Sequence, residues 1–409
     1  MFEEPVLLKH PYSPDLPGTG KFRRLVLPVL LVLVIAACER ESVELVPEHE
    51  YLVDTELIRR FSNDDILRTL GETDGLPPGL AAFVNYSVSV YKITYRTLDT
   101  NKEIVLASGA LVVPDESVHL PLMSFQHGTL QSDEHAPSYF SSDTYFPAVL
   151  YASAGYIISL PDYLGYGISN HLEHPYEHGY SLATASRDML RAVREFDESN
   201  MDFNANSNLF LTGYSQGGYA TMALLKLLEE EHLGEFSITA STAGAGAYNK
   251  SEFARYILAW EGELPYLNNF LWVLETYDRV YGLNRDAGYY FNEPYASVIA
   301  SEGVFANTQL DPQKLFSDSF NEGILNETDT GFINALSDND NYNWKPLSPL
   351  KLYHGTADNY VFYFNSQTAL EAMNDLGALQ VELVTVVQGD HYTTIYDYFM
   401  GTFLFFNEF

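Results

Sequence analysis

At 409 residues, 46% of them hydrophobic, the chain can bury a substantial core, either as one large domain with an insertion or as two domains. With 55 acidic and 22 basic residues its formal net charge is -33, which argues against DNA, RNA or anionic lipid as a partner for its surface. Its single cysteine, Cys38, allows no internal disulfide and no multi-cysteine metal site.

The N-terminus carries Lys21-Phe22-Arg23-Arg24, then the apolar run Leu25 to Ala37, then Cys38 after the small residues Ala36 and Ala37. This run is shorter than the roughly 20 residues that span a bilayer. The segment resembles a bacterial lipoprotein signal. That resemblance implies cleavage before Cys38, diacylation of its thiol, and a lipid-anchored protein in the bacterial cell envelope, on the periplasmic or surface side. Residues 1–37 read as the signal peptide; the stretch ahead of Lys21 means either a start assigned too early or an unusually long basic region. Residues 38–80 read as a tether and N-terminal segment, polar and acidic, broken by Pro47, Gly71, Gly75, Pro77 and Pro78.

From Phe83 apolar residues alternate through Val84, Tyr86, Val88 and Val90 to Tyr95, and again from Ile104 to Val113 across an Asp99-Thr100-Asn101 turn, which predicts two antiparallel strands. Further strands follow at Pro121 to Phe125, Tyr156 to Leu160, Asn208 to Thr212 and Phe236 to Ala240, with helices near Tyr145 to Ser153, Ser181 to Glu198 and Gly217 to Glu231. Strands separated by helices of this length require crossover connections and a mainly parallel sheet. The rhythm stops at about residue 248. Up to residue 345 the chain holds apparent helices dense in Tyr, Trp and Phe, which reads as an inserted, mainly helical cap. It resumes at Leu350 to His354, continues through a helix near Ser366 to Leu376 and a strand at Val381 to Val387, and ends in a helix from Thr393. The core thus occupies 81–247 and 346–409.

The strand at Asn208 to Thr212 runs into Gly213-Tyr214-Ser215-Gln216-Gly217 and a helix. G-x-S-x-G joining a strand to a helix is the nucleophile elbow, a turn so sharp that its flanking residues must be small. Ser215 is the candidate nucleophile, and a serine hydroxyl needs an imidazole to take its proton and a carboxylate to orient that imidazole. In this elbow architecture the partners follow in the order acid, then histidine. Of the histidines beyond Ser215, His232 falls at a helix end and His354 inside a strand, leaving His391, which follows the last strand by a short glycine-containing loop. Asp358, just past the strand ending at His354, stands where sites of parallel sheets collect. Asp390 is its competitor, but side chains adjacent in sequence diverge. Asp162 precedes Ser215 and reads as a loop-structuring carboxylate. The oxyanion of a tetrahedral intermediate needs backbone donors: one from Gln216, the other from Gln126-His127-Gly128-Thr129, where Gly128 permits close approach and Thr129 donates. His171, His174 and His178 share a loop but have no metal-ligand spacing.

Gln126-His127-Gly128-Thr129, Pro161-Asp162-Tyr163-Leu164-Gly165-Tyr166-Gly167, His174-Pro175-Tyr176 and Gly213-Tyr214-Ser215-Gln216-Gly217-Gly218 together resemble the α/β-hydrolases, and among them bacterial and secreted lipases and esterases. The resemblance extends from about residue 80 to the end. It implies an α/β-hydrolase fold, a small-molecule or lipid ester as substrate, an acyl-serine intermediate and no cofactor. One departure is Asn359-Tyr360-Val361, where the family commonly has a proline after the acid. The same three side chains would also suit a serine peptidase or an acyltransferase, and a lipid-anchored binding protein without activity is the reading from a different class.

Overall fold

The computed structural model describes residues 49–72, 78–116, 119–141, 145–199 and 204–409; Cys38 and the stretch read as a signal peptide lie outside them. The first half contains β1 (Leu52–Phe61), α1 (Asn63–Glu72), β2 (Val88–Leu98), β3 (Ile104–Pro114), β4 (His119–Gln126), α2 (Phe146–Ser153), β5 (Ile157–Pro161), α3 (Gly179–Ser199), β6 (Asn204–Tyr214), α4 (Gln216–Glu231) and β7 (Ile238–Gly244). Helices follow without a strand between them: α5 (Lys250–Leu258), α6 (Leu267–Val280), α7 (Ala287–Tyr290), α8 (Tyr295–Glu302), α9 (Pro312–Leu315), α10 (Asp318–Leu325) and α11 (Thr330–Asp338). The chain closes with β8 (Leu350–Gly355), α12 (Phe364–Asp375), β9 (Val381–Val386) and α13 (Thr394–Phe406).

Among the described residues the strands form one sheet in the order β1-β2-β3-β5-β4-β6-β7-β8-β9. The pairs β1/β2, β2/β3 and β3/β5 are antiparallel, and every pair from β5 to β9 is parallel. After β4 the chain crosses to one side for β5 and returns to the other for β6. The carboxyl ends of β4 and β6 therefore flank the topological switch point, where open α/β sheets bind ligands.

The two faces of the sheet follow from strand alternation. Leu209 and Leu211 point to one core with Met189, Leu190 and Val193 of α3 and Met222 and Leu225 of α4. Phe210 points to the other, with Ile66 of α1, Val149 of α2 and Phe403 and Phe406 of α13. The helices between β7 and β8 bury a third cluster, including Phe253, Leu271, Leu274, Tyr277, Phe320 and Phe332. The segment after α11 is tied to the helices beside the sheet: the buried Glu229 carboxylate of α4 accepts from the amides of Leu347 (2.7 Å) and Ser348 (2.9 Å) just ahead of β8, and Asn339 Oδ1 accepts from Gly179 N of α3 at 2.8 Å.

Within the stretch read as tether and N-terminal segment, the described residues hold the sheet's edge strand β1 and helix α1. Glu195 of α3 holds the start of β1 by accepting from the amides of Tyr51 (3.0 Å) and Leu52 (2.6 Å). Apart from the buried Leu52 and Phe61, β1 is at least partly solvated on both faces, so it shows no apolar alternation. Its Asp54, Glu56, Arg59 and Arg60 are the charges that protect an unpaired edge. The alternation from Phe83 also starts too early, because Pro78–Phe83 is a 3₁₀ turn and β2 begins at Val88.

Leu211 is fully buried in a central strand, whereas Leu379 is 91% exposed. Leu211→Ala is expected to cost about 2–5 kcal/mol, read as a lower denaturant midpoint, while Leu379→Ala leaves the midpoint unchanged.

Candidate active site

Ser215 follows β6 and caps α4 with φ 60° and ψ -124°, a left-handed conformation that a non-glycine residue holds only when its surroundings enforce it. The enforcement is backbone against backbone. A Cβ on Gly213 would strike the carbonyl of Gly217, one on Gly217 the carbonyl of Gln126, and one on Gly218 the carbonyl of Gly244. These glycines let the first turn of α4 press against the ends of β4 and β7, and Ser215 N donates to Gly244 O at 2.9 Å.

His391 lies in the turn after β9. Asp390 is exposed, and its carboxylate caps the amides of Tyr392 (3.0 Å) and Thr393 (2.8 Å) rather than reaching the imidazole. His391 Nδ1 is 2.7 Å from Asp358 Oδ2, and Nε2 is 2.9 Å from Ser215 Oγ. A carboxylate only accepts, so Nδ1 carries the hydrogen and the lone pair of Nε2 faces the serine hydroxyl. The main chain of His391 is anchored as well, since Tyr214 OH donates to its carbonyl at 2.7 Å.

Asp358 sits in the loop after β8, its Oδ1 accepting from the amides of Tyr360 and Val361, both at 2.9 Å. Burial by itself would raise its pKa, but the His354 and His391 rings beside it outweigh that and hold the carboxyl well below the usual carboxylate range. His354 is fully buried in β8. Its Nε2 donates to Val361 O at 2.7 Å and lies 3.4 Å from Asp358 Oδ2, while Nδ1 accepts from Ser366 at 2.7 Å. This ring buttresses the acid loop, a role that its place inside a strand pattern did not disclose.

On the opposite side of Ser215, a Cβ on Gly128 would stand 3.4 Å from Tyr214 O and 3.9 Å from Ser215 Cβ, so the loop after β4 reaches the serine through glycine backbone. Thr129 Oγ1 is 2.8 Å from Tyr176 OH. His127 Nδ1 lies 2.7 Å from Gly128 O and Nε2 3.1 Å from Asp162 O. Gln216 opens α4, where a first-turn amide has no acceptor within the helix. Its side chain is fixed: His174 Nδ1 donates to Leu164 O at 2.7 Å, leaving Nε2 to accept from Gln216 Nε2 at 2.8 Å. Asp162 accepts from Ser108 Oγ (2.5 Å) and Ser138 N (2.7 Å), tying the end of β5 to β3 and to the segment after β4.

The other sequence candidates lie elsewhere. His232 is the C-cap of α4, near Arg187 and Glu235. His178 pairs with Ser181 at 3.0 Å, and among the described residues no group of three or more His, Cys, Asp or Glu side chains is arranged to hold a metal. A cavity of about 10 Å³ beside Ser215 is lined by Tyr176, Glu177, Asn269, Phe270 and Tyr360, among others. Tyr176 stacks on Trp272 with 4.2 Å between centroids, and Tyr360 lies 4.8 Å from the His391 ring.

No family model and no curated protein matches the sequence. Solved structures do match. A candidate hydrolase from Legionella pneumophila is 26% identical with a TM-score of 0.79, over 88% of this chain and 98% of that one. The rice cell wall degrading esterase LipA from Xanthomonas oryzae is 25% identical with a TM-score of 0.72, over 86% and 94%. Candida antarctica lipase A, at 17% identity and a TM-score of 0.59 over 86% and 82%, shares the fold alone. The chain therefore has the α/β-hydrolase fold, and these structural counterparts carry the names of a hydrolase, an esterase and a lipase.

Burial lowers the pKa of His127 to about 4, of His174 to about 3 and of His178 to about 4. Between those values and the unfolded value near 6.5 the folded chain binds fewer protons than the unfolded one. The stability contributed by these neutral rings is thus present above about pH 6.5 and lost as the pH falls toward 4. Asp162 works the other way. Burial raises it to about 6, so its contribution falls as the pH rises from about 4 to 6. Asp197, Glu275 and Asp340, also raised by burial, act in the same sense as Asp162; His178→Gln removes one of the opposing rings, and its thermal midpoint is expected to fall less than that of wild type between pH 6.5 and 4.

Proposed function

We propose that this chain is a serine carboxylic-ester hydrolase, an esterase or lipase acting through an acyl-serine. The observation that carries this reading is the unbroken series Ser215 Oγ, His391 Nε2, His391 Nδ1, Asp358 Oδ2, with separations of 2.9 and 2.7 Å. As the Ser215 oxygen attacks the ester carbonyl, its proton passes to His391 Nε2, and the Asp358 carboxylate stabilises the imidazolium. The amides of Gln216 and Thr129 receive the oxyanion; such a donor is worth about 10²–10³-fold in rate. His391 then protonates the departing alcohol, and a water activated by the same nitrogen releases the acid. These steps use only the protein's own groups and water. The helices α5 to α11 act as a cap over the serine, covering 248–345 of the chain.

At the N-terminus we infer lipidation at Cys38 and attachment to a membrane of the bacterial envelope, the reading supported by the basic, apolar and small-residue run ahead of that cysteine. Cys38→Ser is expected to move the protein from the membrane to the soluble fraction; persistence in the membrane fraction contradicts the anchor.

Protein lacking residues 1–38 is expected to hydrolyse p-nitrophenyl acetate. Ser215→Ala should lower kcat by roughly 10³- to 10⁶-fold with little change in KM, and a fluorophosphonate should label Ser215, as read by peptide mass spectrometry. Ester turnover unaffected by Ser215→Ala contradicts the assignment.

A further inference from the structure

Behind Ser215 lies a buried ion pair that the ester chemistry does not use. Glu177 directly follows Tyr176 in a left-handed conformation, φ 53°. Its carboxylate takes the ammonium of Lys250, the first residue of α5. Both residues are buried, at 7% and 3% exposure. The Lys250 Nζ also rests 3.9 Å above the Tyr219 ring on α4, and Tyr277 OH donates to the Glu177 carbonyl at 3.0 Å. The pair is therefore clamped by α4, α5 and α6 together.

Its position relates two cavities. The one against Ser215 holds about 10 Å³, roughly the room for one water. The second, about 60 Å³, lies within the helices between β7 and β8 and has an otherwise apolar lining. Glu177, Phe253, Phe270 and Val273 line both, and Lys250 lines the second. A straight acyl chain running from an acyl carbonyl on Ser215 Oγ to the larger cavity has to pass this shared wall, of which Glu177 is the charged member. An apolar chain that separated the pair would leave two buried charges without partners, which proteins do not tolerate cheaply.

We propose that the Glu177–Lys250 pair closes the rear of the acyl site and makes this chain a hydrolase of short-acyl esters, with acetyl and propionyl accepted and octanoyl excluded. The inference rests on the ester-hydrolase reading and adds the substrate class. The pair acts by shape and charge at the far end of the acyl group, without touching the reacting atoms.

The test is a kcat/KM series on p-nitrophenyl esters from acetate to octanoate. Wild type should favour acetate over octanoate by at least about tenfold, the discrimination that a pocket wall exerts against added methylenes. Replacing both charges, Glu177→Leu with Lys250→Met, removes the pair without orphaning either partner, and should raise the octanoate-to-acetate ratio by about tenfold or more. Glu177→Gln, which retains bulk and a hydrogen bond to Lys250, should keep the short-acyl preference. Octanoate hydrolysed by wild type as well as acetate overturns the proposal while leaving the hydrolase reading intact, and needs no variant to fold. An unchanged ratio in a folded double variant also overturns it. No turnover of any ester, with no fluorophosphonate label on Ser215, defeats the underlying reading instead.

Discussion

The whole arrangement hangs on a contact with no side chain in it: the first turn of α4 lying directly on the carbonyls of Gln126 and Gly244. Only glycine at 217 and 218 permits that approach, and only that approach sets the end of β4, the elbow and the end of β7 side by side. Gly128 reaches Ser215 because β4 stops where α4 touches it. The switch point gives the site its address in the sheet, and the glycines draw its parts into contact.

The strain of Ser215, of order 1–3 kcal/mol for such a backbone, is offset locally. Helix α4 is buried along most of its length, from Gln216 to Glu229, and its far end is fixed when Glu229 accepts two amides ahead of β8. A helix held at both ends does not relax to relieve one strained residue. Buried histidines complete the scaffold. His127, His174 and His354 each spend ring nitrogens on carbonyls or a side-chain amide or hydroxyl.

The parts of the molecule that the sequence discloses are those with a local signal. Gly213 to Gly218 announce the turn because no other residue fits there, and Asp358 and His391 each follow a strand at short range. What stays hidden depends on tertiary partners. Strand β1 is an edge strand with solvated faces, and its amides are organised by Glu195, more than a hundred residues away. The first part of β6, Asn204 to Asn208, is polar, and pairs with His119 and Leu120 through an irregular register. His354 shows nothing in its strand pattern of the carboxylate loop it supports. Helices α7 and α9, each four residues long, are too short to carry a period at all.

The distance between Ser215 and His391 is held in an economical way. Ser215 and His391 are 176 residues apart, separated by all of α5 to α11, and a link through that many residues would leave their spacing poorly defined. Tyr214 removes the dependence. Its hydroxyl bonds the His391 carbonyl at 2.7 Å, while its own main chain is the last residue of β6 before Ser215. The turn carrying the imidazole is thus referred to the elbow itself. On the other side, Ala357 N donates to Gly389 O at 2.9 Å, and Gly355 lacks the Cβ that would collide with that same carbonyl. The acid loop and the histidine turn are in this way bonded to each other before their side chains meet.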